Sequence, residues 1–195
     1  MTQNKATIHI AFLGPKGSYS HIAAMKYAHY YFGKFIECSC QNFQDIFFLV
    51  ETQKAEYGIL PIENSNSGFI EEVCNLLSKT HLMLIGNITI PIQHHILVKN
   101  NQISLNKIKI IYSHPQPVQQ CSKFLKKNSN LKILLCASSA VAIKKVAFLN
   151  QPNIAALGSI QGGEYYGLQP LLLPQIISNH PYNSTRFVIV KNTNF

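Results

Sequence analysis

The sequence predicts an α/β fold in two lobes, each with a mainly parallel or mixed sheet flanked by helices. Three observations carry this. Short apolar runs repeatedly lead into a few small polar residues and then a helical pattern, the order of strand, turn and crossover helix in parallel sheets. Two extended, β-rich segments, Ile85 to Val98 and Thr185 to Val190, are not followed by helices and suit strands that cross between lobes. Hydrophobic residues make up 47% of 195 residues and charged residues only 13%, a composition that buries a core and does not match a disordered chain.

The elements follow in order. Thr7 to Leu13 reads as a strand, GPKGSYS as its turn, and about Ser20 to Phe32 as a helix with Ile22, Ala23, Tyr27 and Tyr30 or Tyr31 on one face. Tyr57 to Ile62 runs through ENSNSG into a helix over about Ile70 to Lys79. Ile108 to Tyr112 passes SHPQP into a helix covering Val118 to Lys126, with Pro115 and Pro117 suited to a first turn. Lys132 to Cys136 leads through ASS to a helix over about Ala140 to Asn150, and Ile154 to Leu157 through GSIQGG to a shorter one toward Tyr166. A chain that leaves lobe one near residue 90 and returns near residue 175 gives residues 1–90 plus 175–195 as the first lobe and 91–174 as the second. A cleft is expected between the two sheets.

Composition narrows the function. The longest apolar runs are far shorter than the roughly 20 residues of a bilayer span, so no membrane partner is expected. The start MTQNKATIHIAFLG has no signal-peptide layout, and the five cysteines are an odd number without paired CxxC spacing. Cytoplasmic thiols are the expectation, with neither a disulfide framework nor a metal site. The net charge of +9 favours anionic partners, but the lysines are scattered and no basic run is interleaved with aromatics. No nucleic-acid partner is expected.

Every strand end of this pattern carries hydroxyls, amides or glycine: Gly14, Gly17, Ser18 and Ser20; Asn64, Ser65 and Gly68; Ser113 and Gln116; Ser138 and Ser139. Such ends face helix N-termini, which favour small anions, although each Ser or Asn also suits a simple helix cap. GPKGSYS matches neither a dinucleotide loop nor a phosphate loop. His94 and His95, adjacent on a strand, point to opposite faces, so at most one faces a cleft. Glu37, Asp45, Glu51, Glu56, Glu71, Glu72 and Glu164 are expected in solvent. Glu63, between an apolar strand and a polar turn, suits a helix-terminus or lobe-bridging carboxylate, with direct catalysis as the alternative. Thr185-Arg186 opens the strand FVIV and sets a hydroxyl and a guanidinium on opposite sides of the backbone; the guanidinium fork suits a carboxylate.

Six blocks carry a resemblance: IAFLGPKGSYSHIAA, YGILPIENSNSGFIEEV, PIQHHILV, IYSHPQPVQQCSKFL, AALGSIQGGEYYGL and NSTRFVIV. Taken in order over nearly the whole chain, they are similar to the prephenate dehydratase family, in particular to the dehydratase portion of the enterobacterial bifunctional chorismate mutase and prephenate dehydratase. The resemblance implies decarboxylation and dehydration of prephenate to phenylpyruvate in phenylalanine biosynthesis, without cofactor or metal. It also implies two lobes with the active site between them, an architecture similar to type II periplasmic binding proteins, and a homodimer. Neither a regulatory domain nor a chorismate mutase segment is expected in this chain.

Carried over by motif, Thr185, Ser113 and Gln120 are the expected catalytic residues. Arg186, Asn64, Ser65, Glu63, Phe187, Ser18 and Ser138 are the expected substrate contacts. Arogenate, with an amine in place of the side-chain keto group, stays open as substrate. A non-catalytic binding module for organic acids or amino acids stays open as function.

Overall fold

The computed structural model describes residues 7–193. Along the chain run β1 (Ile8–Leu13), α1 (Tyr19–Tyr31), β2 (Phe35–Cys40), α2 (Phe43–Glu51), β3 (Tyr57–Asn64), β4 (Gly68–Phe69), α3 (Glu71–Leu77), β5 (Met83–Pro91) and β6 (His95–Val98). After a short 3-10 turn come β7 (Ile110–Ser113), α4 (Pro115–Gln120), α5 (Ser122–Lys127), β8 (Lys132–Leu135), α6 (Ser139–Leu149), β9 (Ile154–Gly158), α7 (Ile160–Tyr165), β10 (Gln169–Pro170) and β11 (Ser184–Lys191).

Two compact units result. The first comprises Met1–Pro15, Tyr19–Pro91 and Ser184–Phe195; the second comprises Lys16–Ser18 and Ile92–Asn183. The chain re-enters the first unit at Ser184, later than the residue 175 suggested by the sequence.

The sheet of the first unit has the order β2-β1-β3-β11-β5, with β4 paired to β3. β1 is parallel to β2 and β3, whereas β11 is antiparallel to both β3 and β5. The sheet is therefore mixed, and the last strand of the chain lies inside it. Strand alternation sends Phe187 and Ile189 to one face, where they meet Ile10, Phe12 and Ile59 of the sheet and Ala23, Ala24 and Ala28 of α1. Val188 and Val190 go to the other face, with Ile46, Phe47 and Val50 of α2 and Val73 of α3. The fit on that face is close: a Cβ on Gly58 would lie 2.8 Å from Val190 Cγ2 and 2.9 Å from Ile46 Cγ2.

The sheet of the second unit has the order β10-β6-β9-β7-β8. β7 is parallel to β8 and β9, and β6 is antiparallel to β9. Ala142, Ile143 and Val146 of α6 pack on Tyr112, Ile154 and Ala156 of that sheet. The opposite face is closed by Cys121, Phe124 and Leu131 against Ile96, Ile111 and Leu157.

Several elements differ from the sequence expectation. β2 and α2 are additional, and α2 is started by Asn42, whose side chain accepts from the Asp45 backbone N–H at 2.8 Å. The helix expected over Val118 to Lys126 is two short helices broken at Cys121 (φ −113, ψ 17). Two carboxylates expected in solvent are partly withdrawn from it. Glu37 stands 3.2 Å from His21 Nε2, and Glu56 accepts from the His9 backbone N–H at 2.6 Å. Each of these partners is supplied by the neighbouring tertiary structure, so the residue's own surroundings in sequence gave no sign of it.

Candidate active site

In the first unit the polar turn after β3 and the start of β11 meet through strand register. Thr185 stands opposite Asn64, and Arg186 opposite Glu63. The Asn64 side chain is the centre of this group. Its Nδ2 donates to Thr185 Oγ1 at 2.9 Å and to the Ser184 carbonyl at 3.0 Å. Its Oδ1 accepts from Asn66 N at 3.0 Å, Ser67 N at 3.2 Å and Ser67 Oγ at 3.3 Å. Asn64 and Thr185 are each 8% exposed. Such a saturated amide is a rigid anchor, because moving it breaks several bonds in a partly dry environment.

Ser65 completes the pairing: its N–H donates to the Ser184 carbonyl at 2.9 Å and its Oγ accepts from the Ser184 N–H at 3.0 Å. Arg186 lies on the opposite face from Thr185. Its guanidinium donates to Glu63 Oε2 at 2.7 Å, with the two side chains 47% and 37% exposed. Phe187, expected as a substrate contact, is 1% exposed within the core of the first unit. Its phenyl ring is committed to packing, and its service to Thr185 is to fix the strand two residues on.

The second unit holds the other expected residues. Ser113 ends β7, is fully buried, and donates from Oγ to the His114 carbonyl at 3.0 Å. Gln120 ends α4, half-buried, and its Oε1 lies 2.6 Å from His94 Nε2. Burial pushes the His94 imidazole below the ordinary histidine range, with the Gln120 contact opposing this and His95 adding to it. The ring is therefore neutral at pH 7. His94 and His95 do not separate onto opposite faces as expected: β6 begins at His95, His94 lies before it, and both line a cavity of about 290 Å³ together with Leu171, Ile177 and Ser178.

Ser138 caps α6, its Oγ accepting from the Val141 N–H at 3.1 Å. Ser18 lies half-buried immediately before α1, on the Lys16–Ser18 segment that belongs to the second unit. That segment is tied down by Tyr166, whose hydroxyl donates to the Lys16 carbonyl at 2.8 Å. Asn183, which opens the block NSTRFVIV but was not among the expected site residues, is 4% exposed and accepts the Ile92 N–H on its carbonyl at 2.8 Å. Among the described residues no group of three His, Cys, Asp or Glu side chains is placed to hold a metal ion. No helix of the described residues is long and apolar enough to cross a membrane.

The strand pair carrying Asn64 and Thr185, with its neighbours, coincides with a known sequence pattern: a family model described as prephenate dehydratase matches residues 10–194. The chain belongs to the prephenate dehydratase family. It is 49% identical over 181 residues to a bifunctional chorismate mutase/prephenate dehydratase of Enterobacter agglomerans, covering 93% of this chain and 46% of that protein. The protein of the same description from Escherichia coli K12 is 49% identical over 187 residues, covering 96% of this chain and 48% of the relative. The chain thus spans about half the length of these curated relatives. Among solved structures, the prephenate dehydratase of Staphylococcus aureus superposes with a TM-score of 0.79 at 26% identity, covering 95% of this chain and 67% of that one.

Proposed function

We propose that this chain converts prephenate to phenylpyruvate, carbon dioxide and water, in the biosynthesis of phenylalanine. The observation that carries the mechanism is the hydrogen bond from Asn64 Nδ2 to Thr185 Oγ1. A hydroxyl has one proton to donate. With a lone pair of Oγ1 held by Asn64, and with no other hydrogen bond to this hydroxyl among the described residues, the threonine proton is directed away from the asparagine. Thr185 is thereby set as a donor.

The chemistry requires such a donor. The ring carboxylate leaves as carbon dioxide, and its bonding electrons enter the ring. The ring hydroxyl departs with its own bonding pair and takes up one proton to become water. Aromatisation supplies the driving force, and the barrier lies in the charge that builds on the leaving oxygen. A preorganised O–H aimed at that oxygen stabilises the developing charge. Threonine is too weak an acid to end the step as an alkoxide, so it lends a hydrogen bond, and the net proton comes from a partner or from solvent.

The remaining assignments belong to the same reading. Gln120, with its carbonyl engaged by His94, presents amide N–H groups suited to a substrate carboxylate or keto oxygen. Ser113 supports the start of α4 from within the core. Arg186 serves as the cation that attracts the dianionic substrate, and Glu63 orients it. Asn64 and Ser65 work by fixing the start of β11. Ser18 and Ser138 contribute polar termini of their helices. The homodimer and the cytoplasmic location belong here too; the second is supported by the free thiols of Cys38, Cys40, Cys74, Cys121 and Cys136.

Incubation with prephenate tests the proposal, with arogenate run in parallel. Phenylpyruvate formation with a kcat of at least the order of 1 per second supports it. Turnover of arogenate alone reassigns the substrate, and turnover of neither by folded protein leaves a binding module.

A further inference from the structure

We propose that His94 is a positioning residue for Gln120: its buried imidazole holds the Gln120 carbonyl and so turns the amide NH₂ toward substrate. This rests on the reading of Gln120 as a participant in turnover.

The imidazole is buried against the glutamine. His94 is 5% exposed, and its Nε2 lies 2.6 Å from Gln120 Oε1. With the glutamine oxygen facing the ring, Nε2 is the donor in this pairing, and the matching tautomer carries its proton there. The NH₂ end of a primary amide and its oxygen end have nearly the same shape, and rotation by 180° exchanges them. Without the imidazole, Gln120 would present its carbonyl as readily as its amide NH₂. A carbonyl turned to an anionic substrate repels it.

The backbone of Gln120 is secured by other means. Its carbonyl accepts from the Asn179 N–H at 2.6 Å. The Asn179 side chain donates to the Gln119 carbonyl at 3.0 Å and to Ser122 Oγ at 2.9 Å, and accepts from the Lys123 N–H at 3.1 Å. These bonds straddle the helix break at Cys121. Removing the imidazole therefore leaves the position of residue 120 in place and releases only the orientation of its side chain. This separation makes the proposal testable against a general loss of structure.

The test uses His94→Phe, His94→Gln, Gln120→Met and the double variant His94→Phe/Gln120→Met. For each, kcat and KM on prephenate are measured separately, together with the urea midpoint. His94→Phe is expected to lower kcat/KM by about 10- to 100-fold, the scale of a misplaced contact. His94→Gln is expected to recover most of that, because its amide can donate from a position near the imidazole Nε2. The double variant should be no worse than Gln120→Met alone. An equal additional loss in the double variant, or undiminished turnover of His94→Phe beside an impaired Gln120→Met, overturns the proposal. Normal turnover of Gln120→Met would instead overturn the role of Gln120 itself. Should His94→Phe fail to fold, ¹⁵N shifts of the His94 ring in the intact protein decide, since a proton on Nδ1 in place of Nε2 refutes the geometry.

Discussion

Replacement of Thr185 by valine is the most direct probe of the proposed chemistry. Valine keeps the β-branched shape that suits the strand and removes only the hydroxyl. Its structural cost comes from Asn64 Nδ2, which loses its 2.9 Å acceptor but keeps the Ser184 carbonyl at 3.0 Å. A buried donor that loses its partner costs about 1–3 kcal/mol, and with one acceptor retained the lower half of that range applies. The fold should survive, because a domain of this size is stable by about 5–15 kcal/mol. Turnover should not. Loss of one preorganised donor to a developing oxyanion costs about 10²–10³ in kcat, or about 2.7–4 kcal/mol. Thr185→Ser restores the hydroxyl and should recover most of the rate, with the rest lost to the freer rotation of an unbranched side chain. The assay is phenylpyruvate formation under saturating prephenate, paired with urea unfolding. Thr185→Val with kcat within tenfold of the parent, in folded protein, would refute the role of this hydroxyl.

Three further outcomes are expected. Phe187→Ala, which empties a 1% exposed position in the core of the first unit, should destabilise the protein by about 3–5 kcal/mol in urea titration. Arg186→Gln should raise KM for prephenate several-fold while shifting stability by under about 1 kcal/mol, because its partner pair with Glu63 is solvent-exposed. An unchanged KM would assign the arginine to that pair alone. Stability should also fall on acidification. Burial holds His94 and His95 below the ordinary value of 6.5, so the folded state keeps them neutral where the unfolded state binds protons. Their contribution is intact above pH 6.5 and is lost as the pH falls toward the folded values, which a lower urea midpoint at pH 5.5 than at pH 7.5 would report.

The parts of this fold that could be read in the sequence are those whose signal is local. The strand-to-helix steps at Leu13, Ile62, Tyr112, Cys136 and Leu157 were legible because an apolar run, a polar turn and a periodic stretch lie side by side. β2 was not, because FIECSC mixes Glu, Ser and Cys and shows its role only when paired with β1. The break at Cys121 was hidden as well. It is stabilised by Asn179, which lies 58 positions on and bonds the Gln120 carbonyl. The site divides in the same manner. A hydroxyl beside a guanidinium was visible in Thr185-Arg186, but the link to Asn64 depends on a register between β3 and β11 that spans 121 residues. His94 was misplaced, because the alternation argument assumed a strand that in fact begins at His95, and its contact with Gln120 required the folded second unit.

The placement of β11 has a consequence for how the chain reaches its active form. Among the described residues, strand β5 pairs in the sheet with β11 alone, after the whole of residues 92–183 has been made. On a ribosome, the stretch Ile92–Asn183, which is all of the second unit apart from Lys16–Ser18, can fold first, while the first unit waits as an open half-sheet with an apolar gap at its middle. Closing that gap seats Phe187 and brings Thr185 to Asn64 in the same movement. Such long-range closure is slow compared with local folding. The Asn64–Thr185 pairing therefore forms with the final step of assembly, and a chain stalled before residue 184 would leave β3 and β5 exposed to aggregation.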